Sequence, residues 1–145
     1  MKQLEWNESF SVNIAEMDLQ HRKLFDLINQ LYEAWQNSKN DKEGSFILEE
    51  MSLQYTVLEE LLEYTEYHFR AEEKYMEQYQ YPGYELQKKE HEQFADKIKA
   101  FNEDLSSGKQ VNTAGIIKFL VEWIKDHILE KDMQYKAHFN ECGLH

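Results

Sequence analysis

The sequence predicts an all-α protein: an up-down-up-down four-helix bundle with an extended N-terminal arm and a short C-terminal helical segment. Two observations carry this expectation. Proline and glycine, which interrupt helices, are scarce, with one Pro and five Gly in 145 residues. Apolar residues recur in alternating steps of three and four along four long stretches joined by short polar segments. That is the period of a helix burying one face against nearly antiparallel neighbours.

Residues 1–17 show no helical period and read as an arm, with Trp6 and Phe10 as its anchors. Asp18 is placed to cap a first helix reaching about Asn37, with Leu24, Phe25, Ile28, Leu31, Tyr32 and Trp35 on its apolar face. His21 precedes Leu24 by three and Phe25 by four, so it shares that face. The polar stretch from Asn37 to Gly44 reads as a loop. A second helix starts between Asp41 and Ser45 and runs to about Gln78, with the stripe Met51, Tyr55, Leu58, Leu62, Thr65, Phe69, Glu72 and Met76. His68 falls beside Phe69 on its edge, and Glu72 stands where a hydrophobic residue belongs.

Tyr81-Pro82-Gly83 is the clearest break. Proline is tolerated in a first helical turn, so a third helix begins there, with the stripe Gln87, His91, Phe94, Ile98, Phe101 and Leu105. Ser106-Ser107-Gly108 ends it, Gly108 suiting a left-handed cap. Asn112 or Thr113 caps a fourth helix carrying Ile116, Leu120, Trp123 and His127, and Met133 to Cys142 adds a terminal turn of helix. No repeat, low-complexity tract or second domain is visible, so residues 1–145 read as one domain able to bury a core.

A net charge of −12 without any basic block argues against nucleic acid and anionic membrane as partners, since both require a positive footprint. The first ten residues hold Glu5 and Glu8 and no apolar leader, and no apolar run approaches membrane-spanning length. The single cysteine, Cys142, excludes an intramolecular disulfide framework. These features make the cytoplasm the expected location.

Six residues carry the chemistry: His21, His68, Glu72, His91, His127 and Asp132. His68 and Glu72 are four apart, as are Gln87 and His91, so each pair points at one spot. Each helix thus offers polar donors to the core at one level. A buried carboxylate is costly unless paired, and no lysine or arginine sits on the buried stripes to pair with it. A metal ion is the natural partner, and imidazole with carboxylate suits iron or zinc better than copper or manganese. Two carboxylates can also bridge two ions. Asp132 follows His127 by five, which on a regular helix sets it about 140° away. To reach the site, the chain must end, unwind or kink near Glu130 to Asp132. His138 and His145 read as surface residues.

The ordered segments Asp18-Leu19-Gln20-His21, His68-Phe69-Arg70-Ala71-Glu72-Glu73, Tyr81-Pro82-Gly83-Tyr84, Lys88-Lys89-Glu90-His91 and Trp123-Ile124-Lys125-Asp126-His127 through Asp132 together resemble the hemerythrins, specifically the single-domain bacteriohemerythrins. The resemblance covers nearly the whole chain. It implies a four-helix bundle with a non-haem di-iron centre that binds O2 reversibly, rather than turning it over. It further implies His21 and His68 as terminal ligands of the iron with the open O2 position, and His91 and His127 on the other iron. Glu72 and Asp132 are implied as bridges beside a solvent-derived oxo or hydroxo group. Leu24, Phe69, Trp123, Ile124 and Ile128 are implied as the apolar lining of the O2 pocket, a role compatible with ordinary core packing.

The departure is Gln87, where the family carries the first histidine of a His-x-x-x-His pair. An amide oxygen coordinates, though it suits iron less well than imidazole nitrogen. Gln87 then binds through oxygen, gives way to water, or leaves the second iron weakly held or not bound at all. Three functions stay open: an O2-binding di-iron protein for carriage, storage or sensing; a di-iron redox enzyme acting on peroxide or nitric oxide; and a bundle with one metal such as zinc, or with none.

Overall fold

A computed structural model of the chain describes residues 3–39, 47–109 and 111–145, with the side chains of 47–50 left aside. It is all-helical among the described residues. A 3-10 turn at Glu8–Phe10 precedes α1 (Ala15–Lys39), α2 (Ile47–Gln78), α3 (Tyr84–Ser106) and α4 (Thr113–Asp126). α4 runs on through a π-helical turn (His127–Asp132) into α5 (Met133–Glu141). The expected C-terminal segment is therefore a continuation of the fourth helix. The expected start of the second helix, between Asp41 and Ser45, lies outside the described residues, as does most of the loop before it.

The core follows the predicted stripes. Leu24, Phe25, Ile28 and Leu31 of α1 are buried with Leu58 and Phe69 of α2, Phe94 and Ile98 of α3, and Ile116 and Leu120 of α4. Burial of this kind stabilises by about 1.5–3 kcal/mol per large apolar side chain. The arm is packed down as its aromatic residues suggest: Trp6, Phe10 and Phe25 meet at ring distances of 5.1–5.8 Å. Asn29 locks it further, accepting from the Leu4 N–H and donating to the Leu4 carbonyl, both at 2.8 Å.

Asp18 is not the cap of α1. The helix starts three residues earlier, and Asp18 turns back to accept the Val12 N–H at 2.9 Å and the Ser11 hydroxyl at 2.6 Å. An acidic side chain reaching back past a helix start has the same sequence signature as one capping it.

The breaks between helices use distinct chemistry. At the end of α2, Gln80 takes the left-handed conformation (φ 51°) and the Tyr81 N–H reaches back to the Met76 carbonyl at 2.8 Å. Gly83 serves space instead: a Cβ there would lie 2.7 Å from the Tyr81 ring. Gly108 adopts φ 76°, and the Lys109 N–H bonds the Asp104 carbonyl at 3.1 Å, the closure expected of a left-handed cap. Of the two candidates for α4, Asn112 is the cap, accepting from the Gly115 N–H at 3.1 Å.

No helix among the described residues is long and apolar enough to cross a membrane.

Candidate metal centre

His21 of α1, His68 and Glu72 of α2, Gln87 and His91 of α3, and His127 and Asp132 of the π-turn are all buried. Each sits on the apolar face of its helix, so hydrophobic packing carries the polar groups inward. Asp132 gets there through the π-turn. The Met133 N–H bonds the Ile128 carbonyl, five residues back, which widens the turn by about one residue. His127 and Asp132, five apart, thereby come to the same face.

Asp132 joins two groups of donors. Its Oδ2 lies 3.2 Å from His21 Nε2. Its Oδ1 lies 3.2 Å from His127 Nε2 and accepts from Gln87 Nε2 at 3.2 Å. His68 Nε2 and Glu72 Oε1 are 2.5 Å apart on the first side, and His91 Nε2 and His127 Nε2 are 3.1 Å apart on the second. His21, His68, Glu72 and Asp132 form a tight set, each offering an atom within 4.8 Å of the others.

The donors face one another with few protons between them. His21 Nε2, both Glu72 oxygens, Gln87 Oε1 and Asp132 Oδ2 are buried without a well-aligned hydrogen-bond partner. The 3.2 Å and 2.5 Å approaches are thus convergence on a common point rather than good hydrogen bonds. Buried polar groups are ordinarily satisfied, so a cluster of orphaned lone pairs fits cations. No lysine or arginine is among the buried polar residues described.

Electrostatics agree. Burial, then the neighbouring Asp132, pushes Glu72 up to about 7, so a cation beside this carboxylate would stabilise its charged form. Burial pulls His68 down to about 4, which keeps it neutral and its lone pair available to a cation at neutral pH. Burial also disfavours charge on His127, but the Asp132 carboxylate more than reverses this and raises it. Asp132 lies well below the usual carboxylate range: burial opposes its charge, and His127 and His21 outweigh that.

Behind the donors lies a set of partners that spacing did not reveal. Gln20 Oε1 sits 2.7 Å from His68 Nδ1, Glu73 Oε2 is 3.4 Å from His91 Nδ1, and Glu90 Oε2 is 3.5 Å from His127 Nδ1. Acceptors at Nδ1 favour the tautomer with its lone pair on Nε2, aimed at the centre. Glu73 and Glu90 each neighbour a donor in sequence, Glu72 and His91, and that adjacency was the only signal available. Tyr135 is also new: its fully buried hydroxyl is held well above 10, first by burial and then by Glu72.

Of the five expected lining residues, Phe69 and Trp123 contact donor rings. Leu24, Phe69, Ile124 and Ile128 are buried and Trp123 is half-buried. Phe69 stacks on His91 with ring centres 3.8 Å apart, and Trp123 on His127 at 4.4 Å. His138 is not a free surface residue as its position had implied. It is half-buried, with Nε2 2.7 Å from the Tyr79 carbonyl, tying α5 to the end of α2. His145 is exposed.

Residues 12–139 match the family model described as the hemerythrin HHE cation binding domain. The chain is 34% identical over 131 residues to the bacteriohemerythrin of Clostridium acetobutylicum, covering 90% of this chain and 96% of that one. It is 30% identical over 132 residues to the myohemerythrin of Sipunculus nudus, covering 91% and 90%. In structure it resembles a leucine-to-tyrosine mutant of hemerythrin, with a TM-score of 0.80 at 24% identity over 94% of this chain and 97% of that one. That last likeness speaks for the fold. With a family model spanning most of its length and relatives matching nearly end to end, the chain belongs to the hemerythrin family.

Proposed function

We propose that this protein binds O2 reversibly at a pair of irons held between its helices, in carriage, storage or sensing. The observation that carries the reading is Asp132, whose two oxygens face different donor groups and so can serve two ions at once. His21 and His68 would hold one iron, Gln87, His91 and His127 the other, with Glu72 and Asp132 shared. A ferrous pair, when bound, would supply the electrons with which O2 is held. The chain's own part is to fix the donors, keep the His68 imidazole neutral and exclude water with Leu24, Phe69, Trp123, Ile124 and Ile128. The name of the Clostridium acetobutylicum relative supports the same assignment. The exposed lone thiol of Cys142 suits the cytoplasm.

Anaerobic loading with ferrous iron, metal counting, and cycling between O2 and nitrogen test this. About two irons per chain and a visible spectrum that appears and disappears with O2 are expected. A colourless product, or a colour that never reverses, sinks it.

Two other readings each have one observation in their favour. The tight set of His21, His68, Glu72 and Asp132 can satisfy a single ion such as zinc. One metal per chain would establish that. A cleft of about 250 Å³ between α2 and α3 is lined by Phe69 and His91 and opens to the surface, which suits turnover of peroxide or nitric oxide. Sustained peroxide consumption by the iron-loaded protein would favour this second alternative.

A further inference from the structure

Gln87 makes the two halves of the centre unlike in a way that bears on which metals they accept. Its amide is oriented by Asp132: a carboxylate only accepts, so the Gln87 NH2 faces Asp132 Oδ1 at 3.2 Å. The other end, Oε1, is buried and has no protein partner. The amide therefore points a lone-pair oxygen into the interior while its nitrogen steadies the shared carboxylate.

The donor sets follow. Beside the shared carboxylates Glu72 and Asp132, the first half has two imidazole nitrogens, from His21 and His68. The second has two from His91 and His127 and adds the Gln87 oxygen. Carbonyl and carboxylate oxygens suit harder divalent ions such as manganese, whereas each imidazole favours iron and zinc. The second half is also more negative behind its rings. Glu73 and Glu90 face His91 and His127, whereas His68 faces the neutral Gln20. That charge holds a divalent ion through electrostatics and offsets the imidazole that is missing.

We infer that the Gln87–His91–His127 half is a hard-donor position that accepts manganese as well as iron, so that the protein can load a mixed iron–manganese pair. The inference rests on the two-metal reading above.

The test equilibrates wild-type protein, Gln87→His and Gln87→Glu anaerobically with equimolar ferrous iron and Mn2+. Each is desalted, and its metals are counted by mass spectrometry, with electron paramagnetic resonance for bound Mn2+. Parallel samples receive iron alone. Wild type is expected to retain manganese beside iron. Gln87→His should retain several-fold less manganese, and Gln87→Glu, which keeps an oxygen donor, as much as wild type or more. Equal manganese in wild type and Gln87→His, with normal two-iron loading of both, overturns the inference alone. A loss of manganese in Gln87→Glu overturns it as well, and does so even if the histidine variant fails to fold. Failure of wild type to take two ions from iron alone overturns the two-metal reading and the inference together.

Discussion

His21 and His68 enter the centre from α1 and α2, His91 and His127 from α3 and the π-turn, and the two pairs are held in different ways. His68 is fixed by one short contact to a neutral amide, Gln20, at 2.7 Å, and meets His21 edge to face at 4.7 Å. His91 and His127 have longer contacts to carboxylates, 3.4 and 3.5 Å, and lie flat against Phe69 and Trp123. One hydrogen bond to His68 and an edge-to-face ring contact orient the first pair, His21 Nδ1 having no hydrogen-bond partner, whereas aromatic packing orients the second and carboxylates face its rings. The same outcome, an Nε2 lone pair aimed inward, is reached by two kinds of force. The halves should therefore fail differently when perturbed.

The largest effect should come from the residue common to both. Asp132→Ala removes the oxygens that face each half, and retention of two irons is expected to be lost while the helical circular dichroism persists. Metal counting after desalting checks this, and full two-iron retention would contradict the bridging role.

Next is Phe69→Ala, aimed at the second half. It deletes a buried ring and the surface on which His91 rests, and should cost about 3–5 kcal/mol in denaturant unfolding of the metal-free protein. In the loaded protein the second metal should leave before the first.

Stripping both metals with a chelator should lower the melting temperature. Ligand present at a hundredfold over its dissociation constant stabilises by about 2.7 kcal/mol, and for a chain of this size that is a shift of roughly 10 °C. An unchanged melting curve would mean that no metal is bound to the folded state.

The smallest and most selective effects should come from the groups behind the rings. Gln20→Ala should weaken metal retention in the first half by about 10–100-fold. Glu90→Gln should do less to the second half, because its contact is longer and its side chain is 26% exposed. Competition with a chromogenic chelator would rank the two variants, and the reverse order would undo the contrast drawn between the halves.

Much of this architecture is legible one helix at a time. The steps of three and four mark α1 to α4, and they carry His21, Glu72, Gln87, His91 and His127 to the interior because residues so spaced share a helix face. Gly108 and Asn112 are readable because a left-handed cap and an N-cap have local chemistry. Asp18 shows the limit of the same logic. Its carboxylate serves the arm rather than the helix end, and only the path of residues 11 and 12 distinguishes the two roles. His138 looked exposed because its partner, the Tyr79 carbonyl, is far away in sequence.

The sequence by itself determined the helical class, the faces that turn inward and the residue types available to a metal, since these depend on local spacing and on the cost of burying charge. The tertiary structure decided whether Asp132 reaches the centre, because nothing in His127-Ile128-Leu129-Glu130-Lys131-Asp132 marks a π-turn. The turn places both His127 and Asp132 on the packed side, where they face each other and meet His21, Gln87 and His91 from other helices. It likewise decided that Gln20, Glu73 and Glu90 stand behind the imidazoles, and that Gln87 turns its nitrogen to Asp132 and leaves its oxygen free. Contacts between helices carry no period, so only the folded chain brings them together.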